Sequence, residues 1–179
     1  MLQQTQVSRV LEFYPAFLTR FPSLDALASA HKRDVVAAWE GLGYYARARN
    51  LHSLARTVVS EGADARLPSD PEALRELPGI GAYTAGAVAS FAFEVRAALV
   101  DTNVARVIAR VFAPRLNPKR PRDLKRIWAI AESILPRSGK ATWTHNQAIM
   151  ELGALVCTAR VKKCPECPVK AICKSRTRT

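Results

Sequence analysis

LPGIGAYTAGAVASF, residues 77–91, closes one helix at Leu77, turns sharply through Pro78-Gly79-Ile80-Gly81 and opens a second helix of small residues. Two glycines two apart can expose consecutive backbone N–H groups at a helix N-terminus. Those groups lack intrahelical partners and lie at the positive end of the helix dipole, so the turn is a ready anion site. The same residues also serve as a plain αα-turn that uses glycine only for its positive φ. The turn alone leaves both readings open, and the rest of the chain has to choose.

A chain of 179 residues is one large domain or two small ones, and is long enough to bury a core. With 49% hydrophobic and 23% charged residues it has the makeup of a folded globule rather than a disordered chain. Its charge is unusual: 27 Lys+Arg against 15 Asp+Glu give +12. Fixed positive charge gains free energy by releasing counterions from phosphates, so a polyanionic partner is expected, though a basic ribosomal or membrane-surface protein would have the same balance. No apolar run reaches the ~18 residues of a membrane-spanning helix. The start, MLQQTQVSRVLEF, has no basic flank, apolar core or cleavage site and is no signal peptide. The expected location is intracellular, the cytoplasm or nucleoid of a bacterium, where four cysteines are not expected to form disulfides.

Helical periodicity dominates. Val7, Val10, Leu11, Tyr14, Phe17, Leu18 and Phe21 step by three and four along one apolar face, with Thr5 placed to cap the helix and Pro15 to kink it. Ser23 caps a short helix, and another surrounds Val35, Val36 and Trp39. After the Gly41-Leu42-Gly43 turn, Tyr44 to about Val59 reads as a longer helix. Asp70 caps a helix ending at Leu77, Asp101-Thr102-Asn103 caps a helix over 104–112, and helices are expected over 122–135 and 141–156. Trp39, Trp128 and Trp143 fall on apolar faces as core residues, and the three histidines read as surface or satisfied. The tail from Cys157 is loop-like. No stretch reads as a strand, so the fold class is all-α.

Four clusters of residues carry chemistry. Cys157, Cys164, Cys167 and Cys173 are spaced C-x6-C-x2-C-x5-C. Zinc is the ordinary tenant of four thiolates, but its sites usually show two paired knuckles; one pair with two outliers suits an iron–sulfur cluster. Spacing alone leaves both open. Asp101 follows the apolar run Ala97-Ala98-Leu99-Val100. It reads first as an N-cap; it can at the same time be a carboxylate whose charge the helix dipole favours, ready to stabilise a developing cation. In GLGYYARARNLH, residues 41–52, Tyr44 and Tyr45 precede Arg47 and Arg49. They form either an aromatic core pair with solvated arginines, or a wedge between bases with cations on phosphates. Gln3, Gln4 and Gln6 in MLQQTQ can hydrogen-bond base edges, or merely solvate a helix start.

Together these pieces resemble one family. LPGIG-x-YTAGA resembles the helix-hairpin-helix of the endonuclease III superfamily of DNA glycosylases, VDTNVARV its catalytic-aspartate segment, and the cysteine spacing its 4Fe–4S loop. MLQQTQV and GLGYYARARNLH resemble the A/G-specific adenine glycosylases (MutY) in particular. The resemblance implies a two-lobed helix-hairpin-helix fold. Residues 1–95 would be a six-helix barrel carrying the hairpin at about 71–93, and residues 96–179 a lobe with the cluster. Double-stranded DNA holding a mismatched or oxidised pair would bind a monomer, with adenine flipped into a cleft. Asp101 would stabilise the oxocarbenium-like sugar, and Asn103 would support it. Gly79 and Gly81 would hold a phosphate, while Gln3, Gln4, Thr5, Tyr44 and Arg47 would contact DNA around the mismatch. Cys157, Cys164, Cys167 and Cys173 would ligate the 4Fe–4S cluster. Tyr83 stands where bifunctional relatives carry a Schiff-base lysine, which implies a monofunctional glycosylase. The mismatch thymine glycosylases, which can carry a tyrosine there, are the alternative.

The sequence departs from the family at both ends. The family's general acid is a glutamate just ahead of the Met of MLQQTQ, and neither Glu12 nor Glu40 stands in its place. The expectation is a chain truncated there, poor at holding its cluster and slowed by about 100- to 10,000-fold. A DNA-binding iron–sulfur protein without catalysis is the alternative from another class. The chain stops soon after Cys173, where adenine glycosylases usually continue into a Nudix-like domain, so weakened 8-oxoguanine discrimination is expected.

Overall fold

The computed structural model describes residues 1–62 and 66–176. Among them are nine α-helices: α1 Val7–Arg20, α2 Leu24–Ser29, α3 Lys32–Ala37, α4 Ala46–Ser60, α5 Pro71–Arg75, α6 Ala82–Phe93, α7 Thr102–Phe112, α8 Pro121–Ser133 and α9 Gly139–Glu151. A π-helical turn over Leu152–Val156 and a 3-10 turn over Cys164–Glu166 complete them. No strand occurs among the described residues, so the expected all-α class holds. Only an isolated bridge pairs Cys157 with Lys162.

Several helix starts follow the expected capping chemistry. The Ser23 hydroxyl accepts from Ala26 N–H at 3.1 Å, and an Asp70 carboxylate oxygen accepts from Ala73 N–H at 2.8 Å. Thr5 does not cap α1. The N-cap is Gln6 and carries no side-chain bond, because a tight turn at Gln4 sets Thr5 back from the helix, where its hydroxyl accepts from Arg47 instead. Helix α1 runs unbroken through Pro15. Of its expected inward stripe only Val10 and Phe17, with Phe21 just beyond, are buried, while Val7, Leu11, Tyr14 and Leu18 are exposed. These seven residues form two rows of a helix surface, and the core takes one row.

The chain divides into two compact units, Met1–Pro68 with Leu74–Ile80, and Ser69–Ala73 with the chain from Gly81 on. The division of contacts comes at the hairpin turn. In the first unit Phe17, Phe21, Leu27, Val35, Trp39, Leu42, Ala48 and Ala55 form the core. The Phe17 ring meets Trp39 edge-on at 5.7 Å. His52 is buried and satisfied, with Nε2 3.0 Å from the Ala30 carbonyl oxygen.

The core of the second unit gathers Ala98, Leu99 and Val100 with the inner face of α7, and Ile127 and Ala131 of α8. Helix α6 belongs to this unit because it lies hard against the segment leading to Asp101. A Cβ at Gly86 would overlap the Ala98 carbonyl oxygen. Buried Asn146 of α9 ties the same pieces, its Nδ2 donating to Ser90 Oγ at 2.9 Å and to the Ala97 carbonyl at 3.0 Å. Trp128 packs on this core as expected; Trp143 is more than a third exposed and meets Phe91 edge-on.

Candidate functional site

The hairpin's two glycines differ in what they do. Gly79 has φ +78°, which only glycine adopts without penalty, and a Cβ there would stand 2.6 Å from Asn50 Cβ. Gly79 is therefore required by the turn itself. Gly81, the N-cap of α6, has an ordinary φ of −90° and ψ of 173°. Apart from its chain neighbours, no described residue comes within 4 Å of a Cβ built on it. Neither conformation nor packing demands glycine there. The space is open in front of a helix start that has no side-chain cap. That combination suits the close approach of an anion to backbone N–H groups.

Around Arg47 the first unit builds a second feature. Gln4 and Tyr44 both have left-handed backbones, φ 56° and 50°, and both side chains are exposed. Tyr44 thus precedes α4 rather than opening it. Each left-handed residue costs about 1–2 kcal/mol. Arg47 offsets this. One terminal nitrogen donates to the carbonyls of Met1 at 2.6 Å and Gln3 at 2.5 Å. The other donates to Thr5 Oγ1 at 2.9 Å and to the Leu42 and Gly43 carbonyls at 3.1 Å each. Bonds from a charged donor are worth about 1.5–3 kcal/mol each, more than the strain they hold. The guanidinium also lies 5.4 Å from the Trp39 ring centroid and 5.7 Å from that of Tyr44. Burial lowers its pKa, with Tyr44 opposing. The phosphate contact expected of Arg47 is not what its donors serve in this structure.

Asp101 in the second unit is the N-cap of α7. Its Oδ1 accepts from Val104 N–H at 2.7 Å, and Oδ2 accepts from Asn103 Nδ2 at 3.3 Å. Two donors thus fix a half-buried carboxylate whose charge can face a developing cation. Tyr83, in the first turn of α6, packs on the same core, and its phenol is pushed above the usual 10 first by burial and second by the Asp101 charge.

Behind Asp101 a chain of polar contacts runs to the cysteine loop. Arg106 donates to Asn103 Oδ1 at 2.8 Å, to the Gly153 carbonyl at 2.7 Å and to the Cys157 carbonyl at 3.0 Å. Gly153 seats tightly, since a Cβ there would stand 2.9 Å from Asn103 Cβ. One turn along α7, Arg110 donates to the Cys157 and Thr158 carbonyls and to Cys157 Sγ at 3.3 Å. All four cysteines are unpaired, half-buried and line one cavity floored by Val107 and Val111. Among the described residues no three of them converge at the spacing of a single metal ion's ligands.

The sequence did not single out Arg106, Arg110 or Gly153. A signal existed: two arginines four apart sit inside VARVIARVF, where Val104, Ala105, Val107, Ile108, Ala109 and Val111 are all buried. Charges embedded in such a face must meet internal acceptors.

Residues 1–132 match the HhH-GPD superfamily of base excision DNA repair proteins. The chain belongs to this superfamily. Two of its relatives are adenine DNA glycosylases. The human protein is 43% identical over 179 residues, 99% of this chain and 32% of its own length. That of Mycobacterium tuberculosis is 45% identical over 172 residues, 94% of this chain and 55% of its own. The chain thus spans a third to about half of these curated relatives. Among solved structures, a thermostable thymine-DNA glycosylase superposes with TM-score 0.84 at 31% identity, over 97% of this chain and 79% of its own. An endonuclease III–DNA complex reaches 0.78 at 24% identity, over 97% of this chain and 78% of its own, and speaks for the HhH-GPD fold alone. No described helix is long and apolar enough to cross a membrane.

Proposed function

We propose that this HhH-GPD chain is the catalytic region of a monofunctional adenine DNA glycosylase, which hydrolyses the N-glycosidic bond of adenine opposite 8-oxoguanine or guanine. The observation that carries the reading is Asp101, a carboxylate held by the α7 N–H of Val104 and by Asn103. Cleavage of an N-glycosidic bond leaves positive charge on the sugar, and a fixed carboxylate stabilises it as it forms. Tyr83 near Asp101 has a phenol, which forms no imine and so supports base release without lyase chemistry. The open N-terminus of α6 at Gly81 would take a DNA phosphate, and Gln4 and Tyr44 would enter the duplex around the extruded base. The protein would act on double-stranded DNA as a monomer in the cytoplasm or nucleoid.

We infer a 4Fe–4S cluster at Cys157, Cys164, Cys167 and Cys173: the four thiols line one cavity, and their spacing, one C-x2-C pair with two outliers, suits a cluster rather than the paired knuckles usual for zinc. Arg110 beside Cys157 Sγ would stabilise a thiolate. The cluster would supply fixed charge and cross-linking to a loop bearing Lys162, Lys163, Lys170 and Lys174. Residues 106 and 110 would transmit that order toward Asp101.

A second reading, a thymine glycosylase acting on T opposite G, is favoured by the 31% identity to the thymine-DNA glycosylase structure. Duplexes with A opposite 8-oxoguanine, A opposite G and T opposite G, treated with the protein and then alkali, separate the readings. Scission at adenine is expected. Scission only at thymine supports the second reading. Binding without scission, unrelieved when an upstream glutamate-bearing segment is joined to Met1, would leave a DNA-binding protein without catalysis.

A further inference from the structure

We propose that Arg47 is a positioning residue that clamps two left-handed turns, at Gln4 and at Tyr44, so that both side chains project toward the mismatch, and that it makes no phosphate contact. The inference rests on the DNA-glycosylase reading above for what the two side chains meet, and on geometry alone for the clamp. The terminal nitrogens of a guanidinium carry four N–H groups. Arg47 turns all of them inward, onto Met1, Gln3, Thr5, Leu42 and Gly43. Its Nε is buried, with no partner among the described residues. No donor is left for a phosphate. The acceptors lie on two chain segments: one carries Gln4 at φ 56°, the other ends at Tyr44 at φ 50°. Neither residue is glycine, so neither turn holds its shape unaided. Both project the side chains that the sequence offers for contact with bases. A planar fork with fixed donor directions satisfies this set of acceptors; the three donors of a lysine radiate from one nitrogen and do not.

Three measurements on the full chain test this with Arg47→Lys, which keeps the charge. The first is amide hydrogen exchange without DNA: residues 2–6 and 42–46 should exchange faster, and α7 to α9 should not change. Unchanged exchange in the two turns would overturn the clamp. The second is affinity for a duplex with A opposite 8-oxoguanine relative to a matched duplex. This preference should fall about as far as in Tyr44→Ala, roughly 5- to 100-fold for one lost stacking partner. A preference retained by Arg47→Lys overturns the proposal. The third is the salt dependence of binding, whose slope should be unchanged in Arg47→Gln; a slope smaller by about 1 would mean a phosphate contact and refute the assignment. If the wild-type protein shows no mismatch preference, the substrate reading fails, and hydrogen exchange alone decides the clamp. Should Arg47→Lys not fold, adding Gln4→Gly should restore it, because glycine takes a left-handed turn unaided. If the double variant also fails, Arg47 holds more than these turns and the proposal falls.

Discussion

Alanine at the two hairpin glycines should separate folding from DNA binding: the first costs stability, the second affinity. At Gly79 an alanine must adopt φ +78° and push its Cβ against Asn50, 2.6 Å away. The left-handed backbone costs about 1–2 kcal/mol, and displacing Asn50 adds about 1 kcal/mol more. A chain of this size loses about 2–4 °C of Tm per kcal/mol, so Gly79→Ala should melt several degrees lower. At Gly81 the backbone is extended and the space open. Alanine there narrows the unfolded ensemble by about 0.4–1 kcal/mol without strain, but caps a helix less well than glycine by a similar amount, so Gly81→Ala should melt close to wild type. Its methyl group, however, fills the space through which a phosphate would reach the N–H groups of α6. Losing one charge-assisted hydrogen bond costs about 1.5–3 kcal/mol, or roughly 10- to 100-fold in Kd. Thermal melting and equilibrium binding to a short duplex measure both. A Gly81→Ala protein that is stable and binds DNA like wild type would refute the phosphate site. One that melts as early as Gly79→Ala would refute an unconstrained backbone at Gly81.

Arg106→Gln should orphan the Gly153 carbonyl and release Asn103, destabilising by about 2–5 kcal/mol and lowering iron retention after reconstitution; melting and iron analysis would read this, and unchanged values would contradict the structural link. Tyr83 has its pKa raised above 10 by burial and then by Asp101, so the folded state keeps a proton that the unfolded state gives up. Its contribution is full below pH 10 and lost above it, and Tyr83→Phe should melt with less alkaline sensitivity. His145 is held below 6.5 by burial, so the unfolded state binds the proton first. Its contribution is full above pH 6.5 and declines as pH falls below that value, and His145→Gln should flatten the acid limb of a denaturation profile.

The helices were legible because caps and apolar periods are local: Ser23, Asp70 and Asp101 each accept the N–H their position predicts. The family motifs were legible because glycines and cysteines have few other reasons for their spacing. The failure of Thr5 to cap α1 and the inward turn of Arg47 have one reason. Their partners are 42 residues apart in sequence, and local capping rules carry no information about that meeting. The two rows of α1 could not be sorted either, since periodicity marks apolar residues without saying which row the core takes. Gly81 needed coordinates to be told from Gly79, because a sequence shows two glycines and not which of them is forced by φ.

The role of Asp101 is tested most directly by free adenine released from a duplex with A opposite 8-oxoguanine, before any alkali, by the wild-type protein and by Asp101→Asn. Asparagine caps helices as well as aspartate does, so the variant should fold and bind DNA normally. With the charge gone, release should slow by about 100- to 1,000-fold. Release within a few-fold of wild type would contradict the account, because the carboxylate at the start of α7 would then not stabilise the breaking bond.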